Sequence, residues 1–159
     1  MRLFHGSLVV VEKPEIRVSD RFLDFGYGFY TTTNIEQAAK WVAKQKNRKN
    51  ENTGYVSKYE FNIEKAKSEL KIIYFEKADK KWLDFVSINR NGRCDDTYDI
   101  VIGPVADDGV YEVVRFYEMG IYDLEETLKR LKVEELYNQV LFHTEKSLTY
   151  LKFIESEEI

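Results

Sequence analysis

With one cysteine, two prolines, two histidines and eight glycines in 159 residues, the sequence is poor in the residues that several protein classes depend on. The lone Cys94 excludes an internal disulfide. His5 and His143 each lack a second His or Cys at metal-ligand spacing, which argues against a zinc centre. No apolar run is long: Leu8 to Val11 ends at Glu12-Lys13-Pro14, neither a membrane span nor the core of a signal peptide. The expectation is a cytoplasmic protein with no membrane contact. Linkers rich in Pro, Ser or Gly, repeats and low-complexity segments are also missing, so residues 1–159 read as one domain. Positive charge is in deficit, with 24 Lys and Arg against 28 Asp and Glu for a net of −4. That balance argues against tight non-specific binding to nucleic acid, which needs clustered cations. It leaves room for a small anionic ligand in a local pocket.

Apolar and aromatic residues are plentiful, with 43% hydrophobic residues including 11 Tyr, 10 Phe and 2 Trp. Short alternation at Arg2 to Gly6 predicts a first strand ending at His5-Gly6-Ser7. Phe25 to Thr33, aromatic and β-branched, predicts a second. Ile35, Ala38, Ala39, Val42 and Ala43 then recur at helical spacing behind Thr33 and Asn34, which form overlapping capping boxes with Glu36 and Gln37. Lys44 to Asn52 reads as a charged polar stretch. Tyr55 to Ile63 alternates as a strand with one wetter face. Ile72 to Phe75 is a short apolar run, Ala78 to Val86 an amphipathic helix, and Asp99 to Val105 a buried strand closed by Gly103-Pro104. Helices follow at Val110 to Tyr117, capped by Asp108, and at Leu124 to Leu131, capped by Asp123. Gln139 to Thr144 and Leu151 to Glu157 predict closing strands around a short helical turn. The fold class expected is α+β.

Few residues are placed for chemistry. Cys94 lies in a polar loop with no base beside it. Asp95, Asp96, Asp99, Asp107 and Asp108 could gather a divalent ion, but turn and cap roles account for them better. His5-Gly6-Ser7 combines an imidazole with unobstructed backbone at a strand end, where a planar carboxamide can be read by one N–H and one C=O of a glycine. A plain turn after the first strand is the competing reading. Asp24-Phe25-Gly26-Tyr27-Gly28-Phe29-Tyr30-Thr31-Thr32 adds a Gly-x-Gly that leads at once into a strand and a capped helix.

Together with Tyr137-Asn138-Gln139-Val140-Leu141-Phe142, these motifs resemble the ADP-ribosyltransferase superfamily, in its histidine-tyrosine-glutamate branch of poly(ADP-ribose) polymerase and diphtheria-toxin-like enzymes. Across residues 3 to 154 the pattern most resembles a bacterial domain-of-unknown-function family, number 3990, placed in that superfamily. The resemblance implies a split antiparallel β-sheet core with flanking helices, NAD as the ADP-ribose donor, and no metal. By the same resemblance His5 would bond the nicotinamide-side ribose, Gly6 would hold the nicotinamide amide, and Ser7 would lie near the adenosine ribose. Tyr30 would stack on the nicotinamide ring with Trp41 as a second aromatic, and Gly28 and Thr31 would join the NAD-binding set. The relatives' small hydroxyl residue, which bonds the amide, falls at Ala38, so that bond would be missing or supplied by Gln37.

Gln139 stands where the branch has its catalytic glutamate. A glutamine keeps a hydrogen-bond acceptor for the ribose 2′-hydroxyl but lacks the charge that stabilises an oxocarbenium-like transition state, at a cost of about 2–4 kcal/mol. Chain elongation would be abolished and mono-ADP-ribosylation would remain, with His5, Tyr30 and Gln139 as the catalytic set. Tyr137 replaces the Glu or Gln of arginine-modifying relatives, which argues against arginine as acceptor. The acceptor would be a protein or a nucleic acid. The bacterial relatives imply a toxin–antitoxin or phage-defence effector, with an antitoxin protein as partner. Two alternatives stay open: a catalytically weak or inactive NAD- or ADP-ribose-binding interaction module, and an unrelated α+β domain in which His5, Tyr30 and Gln139 are core and strand-end residues.

Overall fold

A computed structural model describes residues 1–18, 23–93, 97–105, 108–131 and 138–159. Cys94, Asp95, Asp96, Asp107, Tyr137 and the side chain of Asp108 lie outside what is described. The order of elements is β1 (Arg2–Ser7), β2 (Phe29–Thr32), α1 (Ile35–Lys49), β3 (Tyr55–Phe61), α2 (Ile63–Glu69), β4 (Ile72–Tyr74), α3 (Lys80–Arg90), β5 (Ile100–Pro104), α4 (Asp108–Glu118), α5 (Leu124–Leu131), β6 (Asn138–Phe142), α6 (Glu145–Leu148) and β7 (Leu151–Glu158). All seven strands join one sheet in the order β4-β5-β6-β2-β1-β3-β7. The architecture is α+β. The sheet is not wholly antiparallel, since β4 runs parallel to β5. No helix among the described residues is long and apolar enough to cross a membrane.

Strand register assigns the side chains to two faces, because direct partners point the same way and neighbours alternate. One face carries Leu3, Tyr59, Phe61, Phe29, Val140, Phe142, Ile100 and Ile102, packed with Ala66 and Leu70 as one core cluster. The other face carries two clusters. Ala38 and Val42 of α1 cover Val56 and Phe4, while Trp82, Leu83 and Val86 of α3 and Val110 and Val114 of α4 cover Val101 and Leu141.

Several boundaries differ from the sequence reading for identifiable reasons. The second strand starts at Phe29 rather than Phe25, because Gly26 at φ 87° and Gly28 at φ 141° fold the preceding segment into a turn. Helix α1 runs on through the charged stretch to Lys49. Lys46, Arg48 and Lys49 complement the helix dipole in its last turn, and Asn50 at φ 55° caps it in the left-handed region with its N–H on the Lys46 carbonyl. The third strand stops at Phe61, and Asn62, its side chain accepting from Lys65 N, starts the unpredicted α2. Asp108 is the first residue of α4, and its expected capping role lies outside the described residues.

Candidate functional site

Between β1 and β2 the sheet is held by a single register pair, Phe4↔Thr32, whereas β1 pairs with β3 over its whole length. This seam positions the site. Phe61 N donates to the Met1 carbonyl, so the odd residues of β1 turn their N–H and C=O toward β3 and the even ones turn toward β2. Thr32 provides the partner for Phe4. Two residues on, the N–H and C=O of Gly6 face the seam with no ladder partner among the described residues. The Tyr30 carbonyl, which a continued ladder would offer to Gly6, accepts instead from Nδ1 of His5 at 2.7 Å.

A carbonyl only accepts, so the His5 proton sits on Nδ1 and Nε2 is left as a bare acceptor. The ring lies against Phe29 with centroids 4.5 Å apart. Burial holds the imidazole below its ordinary pKa of 6.5, against the bond to Tyr30 and aided by the positive charge of Arg17. His5 is therefore neutral at pH 7. The unfolded chain takes up a proton at His5 before the folded one does, so stability falls as pH drops from 6.5 through the folded pKa. His5→Gln is expected to flatten that slope in denaturant titrations run between pH 7 and pH 5; an unchanged slope would assign the dependence to other groups.

An open cavity of about 250 Å³ adjoins the seam, lined by His5, Gly6, Ser7, Leu8, Trp41 and Gln45. Trp41 is 48% exposed. Residues Gln37, Trp41 and Gln45 form one stripe of α1 at four-residue spacing. At its first end Gln37 Oε1 accepts from Thr32 Oγ1 at 2.5 Å, which links the stripe to the β2 strand beside Gln139. The close approach of α1 also explains Gly6: a Cβ there would meet the Ala38 carbonyl oxygen at 2.3 Å. Ala38 itself is buried against the sheet with Val42 and Val56 and has no hydroxyl to offer a ligand.

Gly6, Tyr30, Thr32 and Gln139 share one face by register. Gln139 is only 6% exposed, and its Nε2 is buried with no hydrogen-bond partner among the described residues. Tyr30 is half-buried and packs against the core under α3 and α4, its hydroxyl donating to the Gly26 carbonyl at 2.6 Å and accepting from Phe25 N at 3.2 Å. It is not among the residues lining the cavity that holds Trp41. Thr31 points to the opposite face, buried, with Oγ1 donating to the Val140 carbonyl at 2.8 Å. That is also the face of the His5 ring, which alternates with Gly6 along β1 and packs on Phe29. Gly28 is required by packing, since a Cβ would stand 2.3 Å from the Phe142 carbonyl oxygen. Of the acidic cluster, Asp99 has a structural role, bonding Lys71 N and Thr144 Oγ1. His143 is buried edge-on to Tyr27.

Leu8, Gln45 and Arg17 were missed by sequence reasoning. Gln45 lies one turn beyond Trp41 and becomes visible once α1 is extended to Lys49. Arg17 carries no local signal. It approaches His5 because the chain after β1 is held over the sheet, with Val11 N donating to Ser57 Oγ and Ile16 N to Glu145 Oε1.

The family model described as protein of unknown function (DUF3990) matches residues 1–153, and the chain belongs to that family. No curated protein matches it.

Proposed function

We propose that this member of the DUF3990 family is an NAD-dependent mono-ADP-ribosyltransferase that cleaves the nicotinamide–ribose bond and transfers ADP-ribose to a macromolecular acceptor. The observation that carries the reading is the seam, where the amide edge of Gly6 faces open space beside a neutral His5 with a bare Nε2. One N–H and one C=O on the same residue match the donor and acceptor of a carboxamide. The Nε2 lone pair suits a ribose hydroxyl, and the Trp41 ring offers a flat heterocycle a stacking surface. Gln139 Nε2, on the face of Gly6 and without a partner among the described residues, supplies a donor for a ligand oxygen, while the His5 ring lies toward the other face of the seam. In the reaction the bond from ribose C1′ to the nicotinamide nitrogen breaks with its electron pair on nicotinamide, and an acceptor nucleophile adds to C1′. The residues here bind and orient; a neutral Gln139 adds little charge stabilisation. The division of the sheet at the seam supports the resemblance to the superfamily fold, while a toxin or phage-defence role rests on the resemblance alone. A binding module without turnover is the second reading, favoured by the deep burial of Gln139 and the missing carboxylate.

Calorimetric titration with NAD and chromatographic assay of free nicotinamide separate the two. The transferase binds NAD and releases nicotinamide, whereas the module only binds; absence of both rejects the site. Trp41→Ala is the cleaner probe of stacking than Tyr30→Ala, because Tyr30 also supports the core. Trp41→Ala is expected to weaken NAD binding by about 1–3 kcal/mol, by analogy with base stacking, with an unchanged melting temperature since the ring is already half in water. A melting shift without a change in affinity would make Trp41 a packing residue.

A further inference from the structure

The net charge of −4 hides a strong segregation. Helix α1 carries Lys40, Lys44, Lys46, Arg48 and Lys49 against the single acid Glu36, a local balance of +4 that leaves −8 for the rest of the chain. Lys46 reaches the Ile159 carbonyl. Lys40, Lys44 and Arg48 fall at i, i+4 and i+8 along the solvent face, about 6 Å apart in rise, and all three are exposed. The half-exposed indole of Trp41 lies between this basic row and the cavity at the seam.

We infer that α1 is a binding surface for single-stranded nucleic acid and that this strand is the ADP-ribose acceptor. The second half of that statement rests on the transferase reading; the first does not. A row of cations follows a phosphate backbone, and an exposed aromatic beside it gives a base its stacking partner, which a polyanion without rings does not use. Trp41, which lines the cavity, stands beside the row, so a strand held on the row runs past the mouth of the cavity. Transfer there breaks the bond to nicotinamide, with the electron pair leaving on nicotinamide, and a nucleotide hydroxyl or ring nitrogen adds to C1′ and gives its proton to solvent.

The test uses labelled oligo(U) and oligo(dT) about 16 nucleotides long, followed by fluorescence anisotropy over a range of salt, with poly-glutamate as the comparison polyanion. Binding to at least one oligonucleotide should weaken linearly in log salt, and the RNA and DNA arms show which sugar is preferred. Lys40→Glu with Arg48→Glu should reduce affinity more than tenfold and lower the slope by about 0.7 for each phosphate no longer neutralised. Trp41→Ala should weaken binding about tenfold without altering the slope. The charge-reversed variant should keep the wild-type melting temperature and its rate of nicotinamide release without oligonucleotide. In the presence of NAD labelled in the adenylate, label should move to the bound oligonucleotide. Equal affinity for poly-glutamate with no effect of Trp41→Ala overturns the surface in favour of an acidic polypeptide. Label that passes only to water or protein overturns the acceptor assignment. If oligonucleotides bind as expected but nicotinamide is never released, the transferase reading fails while the surface stands.

Discussion

Gln139→Glu is expected to raise nicotinamide release at saturating NAD by roughly a hundred- to a thousandfold, and to make the rate climb with pH where the wild type is flat. The first expectation follows from placing a negative charge near the carbon where positive charge develops, an effect of about 2–4 kcal/mol on the barrier in a partly dehydrated site. The second follows from burial. The side chain is 6% exposed and the hydroxyl of its cross-strand partner, Thr32 Oγ1, is already committed to Gln37, so a carboxylate enters with little solvation and titrates above its ordinary range. Its active, ionised fraction grows as pH rises. Gln139→Ala should be slower than wild type because it also removes the acceptor for the 2′-hydroxyl. Gln139→Leu should share that loss yet be more stable to denaturant by about 1–3 kcal/mol, because it replaces an amide whose buried Nε2 has no partner. Stabilisation with loss of turnover would mark Gln139 as kept for chemistry at the expense of folding. If the glutamate variant is no faster and the alanine variant no slower, Gln139 is not at the reacting centre, and NAD binding would have to be explained by the seam alone.

The parts of the fold most visible in the sequence were those with a strong local period. The strands at Tyr55–Phe61 and Ile100–Pro104 and the helix at Leu124–Leu131 emerged near their observed limits because burial alternates, persists or recurs there with few exceptions. The latter half of α1 was hidden for a physical reason: its exposed face is basic and its apolar stripe thins after Ala43, so only tertiary cover and the Asn50 cap reveal that the helix continues. The short α2 was masked by Ile63, which continues the strand alternation one step past Asn62, the residue that caps the helix. Among the site residues, the motif His5-Gly6-Ser7 pointed to the seam, but the division itself was not legible, since nothing in the local sequence states that a ladder stops after one pair. Thr31 illustrates the limit of motif reading: adjacent to Tyr30 in the chain, it faces the opposite side of the sheet.

Removing the carboxylate of Asp24 should produce the largest loss of stability outside the apolar core. Asp24 Oδ1 accepts from Nε of Arg90 at 2.6 Å, with only 18% and 9% of the two side chains exposed. The guanidinium also lies over the ring of Tyr111, 4.3 Å from its centroid, while Nη1 and Nη2 are buried without hydrogen-bond partners among the described residues. Asp24→Ala thus strands a buried cation whose remaining donors are already unsatisfied, at an expected cost of about 3–5 kcal/mol by denaturant unfolding. Desolvation lifts the Asp24 carboxyl above its ordinary 3.8, and the attraction of Arg90 only partly offsets this. The folded state therefore holds this proton more firmly than the unfolded one, so wild-type stability should fall as pH rises from 3.8 through the folded pKa. Replacing both partners, as Asp24→Leu with Arg90→Met, should restore stability to about the wild-type level or above it and abolish that pH dependence. The pair also ties the segment before Gly26 to the end of α3, and Gly26 receives the Tyr30 hydroxyl. Asp24→Ala should therefore loosen Tyr30 and raise KM for NAD more than it lowers kcat. Near-wild-type stability in Asp24→Ala would mean that Arg90 turns to solvent when released, and the ion pair would then be a surface contact that the fold does not need.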